Sequence, residues 1–324
     1  MLGQPIQTRL ASFKEVPIID ISGAGDPARR RDLVRQITRA CEEVGFMYIV
    51  GHGISERMLD DVFDMSRAFF ALPIEKKRAI DLKKSPFYRG YLGIGEKGND
   101  PTHKGNLVEA FQCHEDLAPD HADVRAGMPL RGPNLWPDEP VGFRNVVYTY
   151  YQETYRLGLR LLELFAEGLD QPSDFFTRHY RHSLAQLRLL HYPAQESPRE
   201  GGQIGARAHC DTGVITILTQ DSVGGLEVLN KSGEWIAVPP IKYAYVINIG
   251  NTLQFWTGGR FSSTTHRVVN RYGVSRFSIP FFMTPDYDTV VRPIGMETDP
   301  NAPTFHVGEE ILSTYRRIWP SMAA

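Results

Sequence analysis

Apolar positions recur at helical spacing in the first half of the chain and in short alternating runs in the second. Val16 to Ile21 is a short apolar strand. Asp26 then caps a helix with Pro27 at its first position. Leu33, Val34, Ile37, Ala40, Cys41 and Val44 form its stripe, and Gly45 stops it. Phe46 to Val50 predicts a buried strand, followed by a turn at Gly51-His52-Gly53. Ser55 caps a second helix carrying Met58, Leu59, Val62, Phe63, Phe69 and Phe70. Pro73 opens a short charged turn. From Lys83 to Pro140 the periodicity fades and Gly and Pro recur, as in long functional loops. Phe143 to Leu169 predicts one long helix, and Ser173 to Tyr180 a shorter one.

After residue 184 the period changes to two. Gln186 to Tyr192, Val214 to Thr219, Leu226 to Leu229, Trp235 to Val238, Ala244 to Ile249, Thr265 to Asn270 and Ser275 to Met283 read as strands broken by Gly, Pro, Asn or Asp. Thr289 to Met296 adds an edge strand, Val307 to Tyr315 a helix and Arg316 to Ala324 a tail. So many closely spaced strands point to a sandwich or jelly roll rather than a βαβ fold. The expected organisation is one domain over 1–324. Within it, 1–180 is mostly helical, 181–296 is the jelly-roll core, and 297–324 is a helix and tail.

Composition changes this picture little. With 324 residues, 42% hydrophobic and 23% charged, the chain reads as an ordinary globular protein. A net charge of -2 gives no general attraction to nucleic acid or acidic membrane. No apolar run reaches a membrane span, and Met1 to Ala11 lacks the pattern of a secretory signal. Cys41, Cys113 and Cys210 have no CxxC spacing, which fits a reducing compartment. The expectation is a cytoplasmic monomer or weak homo-oligomer acting on a small molecule, with neither nucleic acid nor membrane as partner.

The chemistry gathers at Ala208-His209-Cys210-Asp211-Thr212. In an extended segment residues i and i+2 share a face, so His209 and Asp211 point one way and Cys210 the other. His266, in the strand-like Thr265-His266-Arg267-Val268, supplies a second imidazole. Two His and one carboxylate with coordination positions left open suit non-haem Fe(II) oxygen chemistry. Three protein ligands and an open position also describe catalytic zinc. Arg276 and Ser278 share a face of an otherwise apolar strand. A guanidinium fork beside a hydroxyl is what a buried carboxylate needs. Arg188, Leu190 and Tyr192 share another face, and the Tyr192 phenol can donate to the same carboxylate. Among the aromatics, Tyr91, Phe111 and Phe282 are candidates for an apolar pocket wall, and Arg89, Lys104 and His114 for meeting an acidic substrate. His179, His182 and His191 share no sensible face and read as structural.

The chain resembles the isopenicillin N synthase-like branch of the Fe(II)/2-oxoglutarate-dependent dioxygenases over nearly its whole length. The resemblance rests on Val16-Pro17-Ile18-Ile19-Asp20, on Gly45 to Ile54, on Phe69 to Pro73 and on Arg89-Gly90-Tyr91. It continues through His209-x-Asp211, Gly224 to Val228, Ile249-Gly250-Asn251, His266-Arg267-Val268 and Arg276-x-Ser278. Gly51 stands where Asn is usual and Asn251 where Asp is common. The resemblance implies a double-stranded β-helix with helices outside. It implies His209, Asp211 and His266 as iron ligands, and Arg276, Ser278 and Tyr192 on the distal carboxylate of 2-oxoglutarate. Leu190 stands where the family often has Asn, so one polar contact is absent or replaced by Arg188. Glu109-Ala110-Phe111 falls where the family lines its substrate site, which makes Phe111 the leading pocket residue.

The activity so implied consumes O2 and 2-oxoglutarate, releases succinate and CO2, and hydroxylates, desaturates or cyclises a small molecule. The alternatives are an oxidase or cyclase that does not use 2-oxoglutarate, an ethylene-forming variant, and a ligand-binding jelly roll without turnover.

Overall fold

The computed structural model describes residues 13–95, 107–194, 204–270 and 273–319. In chain order the elements are β1 (Ile18–Asp20), α1 (Pro27–Glu43), β2 (Phe46–Val50), α2 (Glu56–Phe70), α3 (Ile74–Arg78), β3 (Gly90–Leu92) and β4 (Glu109–Cys113). Then follow α4 (Ala122–Arg125), α5 (Phe143–Gly168), β5 (Gln186–Tyr192), β6 (Ile204–His209), β7 (Ile215–Gln220), β8 (Leu226–Leu229) and β9 (Trp235–Ala237). The last are β10 (Tyr245–Ile249), α6 (Asn251–Trp256), β11 (His266–Val269), β12 (Arg276–Met283), β13 (Val290–Val291), β14 (Phe305–His306) and α7 (Val307–Ile318).

The caps behave as their chemistry requires. The Asp26 carboxylate accepts from the Ala28 N–H at 2.9 Å, and the Ser55 hydroxyl from the Met58 N–H at 3.2 Å. Segment 173–180 is turns and a 3-10 piece, because its backbone bonds run mostly to i−3, as from His179 to Phe176 and Tyr180 to Thr177. The charged turn after Pro73 closes into α3. Of the expected strand at 289–296 only β13 forms, paired with β14. The helix α7 runs on to Ile318, where Arg316 and Arg317 sit favourably in its last turn. The expectations for Met1 to Ala11, for Lys104 and for the tail beyond Trp319 fall outside the described residues.

Two sheets face each other. The larger runs β1-β2-β10-β7-β12-β5-β4-β3, and the smaller β6-β11-β8-β9. This is a double-stranded β-helix. The irregular stretch from Lys83 to Pro140 supplies β3 and β4 to the larger sheet, and β1 and β2 extend its other edge, so the amino-terminal half does more than wrap the outside.

Alternation decides what lies on each side of the larger sheet. Ile215 and Ile217 of β7, Tyr245, Ile247 and Ile249 of β10, and Ile279, Phe281 and Met283 of β12 are buried in the core under the helices. Their partners there include Ile37, Phe69, Leu161 and Phe165. The intervening residues face the smaller sheet. Gly158 lets α5 sit against β12, since a Cβ there would collide with Met283.

A polar cluster is sealed under α2. Lys77 and Tyr91 donate to one Glu109 oxygen at 2.8 and 2.6 Å, and His191 meets the other at 2.7 Å. Burial raises the Glu109 pKa, but His191, Lys77 and Tyr91 outweigh it and hold the carboxyl below its ordinary value of 4.5. Glu109→Ala leaves the Lys77 ammonium buried and unpaired, with an expected cost of about 3–5 kcal/mol. Denaturant unfolding at pH 7 measures this. A depressed pKa stabilises above the unfolded value, so the gap between wild type and variant should shrink as pH falls below about 4.5.

Candidate metal centre and adjoining cavity

His209 and His266 stand directly opposite each other across the antiparallel β6–β11 pair. That register, rather than sequence proximity, brings their rings to 4.3 Å between centroids. Asp211 follows His209 just beyond β6. Its Oδ1 lies 3.6 Å from His209 Nε2 and 3.8 Å from His266 Nε2, and the three ligand atoms fall within 4.8 Å of one another.

The surroundings aim those atoms. Each Nδ1 faces a carbonyl oxygen, His209 that of Arg207 at 2.6 Å and His266 that of Thr264 at 3.2 Å. A carbonyl only accepts, so Nδ1 carries the proton and Nε2 keeps its lone pair for a metal. Asp211 Oδ2 accepts from Thr216 Oγ1 at 2.5 Å and Asn248 Nδ2 at 2.8 Å, which leaves Oδ1 for the centre. Burial raises the Asp211 pKa, but the neighbouring His209 and His266 and the Thr216 hydroxyl outweigh it, so the carboxyl is held well below its ordinary value. Burial lowers the His266 pKa, which favours the neutral imidazole a metal requires. The Cys210 thiol turns away toward Thr265 and Ser263. Asn248→Leu removes one of two donors to Oδ2 and is expected to weaken iron binding by about 10–100-fold. Iron retained after dialysis against a chelator reads this directly.

Beside the centre the two sheets and α7 enclose a cavity of about 560 Å³. Gln186, Arg188, Leu190 and Tyr192 face it from β5, and Arg276, Ser278, Pro280 and Phe282 from β12. Arg276 is 1% exposed. Its guanidinium donates to the Gly224 carbonyl at 2.7 Å, Ser278 Oγ at 3.2 Å and Gln220 Oε1 at 3.2 Å, with the Tyr192 ring beneath it. Among the described residues no carboxylate pairs with it. A buried cation held only by neutral groups is built for an external anion. The Gly224-Gly225 turn, both residues at positive φ, presents that carbonyl, and a Cβ on Gly225 would strike the Val269 carbonyl.

Four expectations need correction. Phe111 does not line the cavity. It packs in the core against Phe69, Phe143 and Trp136, because Ala110, not Phe111, is the β4 residue facing inward. Tyr91 is likewise in the core, bonded to Glu109, and its neighbour Leu92 lines the cavity. Arg188 does not replace a polar contact beside Arg276, since both its Nε and Nη2 donate to Gln112 on β4. Arg89 is tied to the carbonyls of Leu130, Gly132 and Glu115 and serves its loop. Phe282 and His114 do line the cavity, while His179 and His182 lie elsewhere and His191 is bound to Glu109.

Sequence reasoning missed Thr216, Asn248 and Gln220, and did not place the predicted helix α7 at the cavity, to which it contributes Ile311 and Tyr315, with Trp319 just beyond its end. Asn248 carried a signal, as the lone polar residue in the apolar run from Tyr245 to Ile249.

Comparison with known proteins matches this geometry. Residues 183–285 match the 2OG-Fe(II) oxygenase superfamily, and residues 16–139 match the non-haem dioxygenase in morphine synthesis N-terminal family. A 2-oxoglutarate-Fe(II) type oxidoreductase of Emericella nidulans is 37% identical over 85% of this chain and 81% of its own. The chain belongs to the 2OG-Fe(II) oxygenase superfamily. Within that superfamily, a homoarginine-6-hydroxylase of Glycine max is 35% identical over 87% of this chain and 89% of its own. A full-length Neurospora crassa protein, solved in complex with alpha-KG and thymine, superposes with a TM-score of 0.81 at 27% identity, covering 94% of this chain and 97% of its own. The protein is a 2-oxoglutarate-dependent dioxygenase, an oxidoreductase that uses Fe(II), 2-oxoglutarate and O2.

Proposed function

We propose that His209 Nε2, Asp211 Oδ1 and His266 Nε2 hold Fe(II), and that Arg276, Ser278 and Tyr192 receive the distal carboxylate of 2-oxoglutarate. The observation that carries this is the pairing of a three-donor cluster with a buried arginine, which no carboxylate among the described residues pairs with, on the wall of one cavity. Bound iron and 2-oxoglutarate supply an oxidant from O2, with release of succinate and CO2. The chain's part is to hold three donors, to fix the cosubstrate at a charged anchor and to exclude water with the smaller sheet and α7. Phe282 forms part of the wall that orients a small-molecule substrate for hydroxylation, desaturation or cyclisation.

The same reading takes residues 1–324 as one dioxygenase domain. It places the protein in the cytoplasm as a monomer or weak homo-oligomer, with neither nucleic acid nor membrane as partner. The net charge of -2 and the free Cys41, Cys113 and Cys210 support this, and among the described residues no helix is long and apolar enough to cross a membrane.

Anaerobic titration of the iron-loaded protein with 2-oxoglutarate tests the site, read as the visible absorption band of the chelate. Succinate release under O2 tests the activity. Tight metal binding with no 2-oxoglutarate-dependent O2 uptake would favour a zinc site. Oxygen uptake independent of 2-oxoglutarate would favour the oxidase alternative.

A further inference from the structure

A second buried arginine lines the cavity, and no carboxylate among the described residues pairs with it. Arg188 is 8% exposed. It stands opposite Gln112 in the β4–β5 register, and Gln112 Oε1 accepts from its Nε at 2.9 Å and its Nη2 at 2.6 Å. Gln112 is wholly buried and is fixed in turn by donating to the Tyr88 carbonyl. A neutral amide thus pins the guanidinium without neutralising it. The nearest charges beyond Gln112 are the Asp211 carboxylate at the metal centre and, across His114, the Arg89 guanidinium, and neither forms an ion pair with Arg188. Gln186 bridges the His114 ring at 3.0 Å and the Tyr315 hydroxyl at 3.1 Å. Burial, followed by the charges of Arg89 and Arg188, keeps the His114 pKa well below its ordinary value, so that ring is uncharged at neutral pH.

Arg188 is not a second grip on the cosubstrate anchored at Arg276. Arg276 lies opposite Tyr192, four residues and about 13 Å along β5 from Arg188. The two side chains also lean apart. Arg276 reaches toward β7 and Gln220, whereas Arg188 reaches toward β4 and Gln112. Each leaves an unpaired buried positive charge, and each therefore calls for its own anion. The cavity that Arg188 lines is otherwise largely apolar, with Leu92, Val108, Leu130, Leu184, Ile311 and Trp319 on its wall.

We propose that Arg188, positioned by Gln112, binds a carboxylate of the substrate, so that the enzyme oxidises a small and otherwise apolar acid. This rests on the reading of the site as a 2-oxoglutarate oxygenase, and the experiment separates the two. The probes are phenylacetate, phenylbutanoate and phenylhexanoate with their primary amides. Their binding to the protein loaded anaerobically with Fe(II) and 2-oxoglutarate is measured by calorimetry.

The best acid should bind at least about thirtyfold more tightly than its amide. In Arg188→Gln that preference should fall to within about twofold, while 2-oxoglutarate affinity, read from the chelate absorption, stays within about threefold of wild type. Arg188→Lys keeps the charge and should keep part of the preference, which guards against a variant that merely folds badly. Acids binding no better than amides would overturn the proposal. So would an Arg188→Gln protein that loses 2-oxoglutarate affinity as Arg276→Gln is expected to. Absence of 2-oxoglutarate binding in the wild type would instead sink the oxygenase reading, while the acid preference, measured in Fe(II)-loaded protein without 2-oxoglutarate, would still decide the role of Arg188.

Discussion

Asp211→Ala is expected to lower turnover by at least about 1000-fold, with iron content falling to background. The carboxylate is the only anionic donor in the cluster, so its loss leaves two neutral imidazoles to hold a divalent cation. It also leaves Thr216 Oγ1 and Asn248 Nδ2, which now donate to Oδ2, aimed at an empty space. A factor of 1000 corresponds to about 4 kcal/mol, well within what a charged ligand supplies. Oxygen uptake and colorimetric iron assay read the result. A variant that keeps its iron and half its turnover would remove Asp211 from the centre. The His209–His266 register depends on backbone pairing and should survive, so circular dichroism is expected to be unchanged.

Arg276→Gln is the second large effect. It should weaken 2-oxoglutarate binding by about 100- to 1000-fold, because a buried charge-assisted contact is lost. Its effect on the protein without cosubstrate should have the opposite sign. In that state no carboxylate among the described residues pairs with the buried Arg276 cation, and a shorter, neutral amide relieves the desolvation cost. The variant should therefore melt at or above the wild-type temperature without 2-oxoglutarate and gain no stability when it is added. Thermal unfolding with and without millimolar cosubstrate separates the two contributions. A variant that melts much lower yet binds 2-oxoglutarate normally would assign Arg276 a structural role.

The site was legible in the sequence because its signals have period two or lie in apolar surroundings. His209 and Asp211 flank one residue, Arg276 and Ser278 interrupt an apolar strand, and His266 sits in another. The side of the sheet was not legible. Alternation groups Ala110 with Gln112 and sets Phe111 apart, but it does not say which set faces the cavity, and Phe111 went to the core. Strand β4 itself was hidden because all five residues are buried, so no polar face alternates with an apolar one. The burial of its Glu109 could not be read either, since Lys77, Tyr91 and His191, which make it tolerable, are brought together by the fold. The helix α6 is six residues long, too short for a 3.6-residue period to show. The α7 contribution to the cavity was invisible for another reason. Its apolar stripe predicts a helix but not its docking site.

The strand order of the larger sheet also sets when this enzyme can come into being. Phe46 pairs with Asn248, so β2 waits for a partner about two hundred residues further along the chain. Closing loops of that length is entropically costly before any contact repays it, which makes folding slow. As the chain emerges from the ribosome, α1, α2 and α5 precede the strands that bury their apolar faces. Those faces are then exposed for the seconds needed to synthesise β7, β10 and β12, the interval in which association with other chains competes with folding.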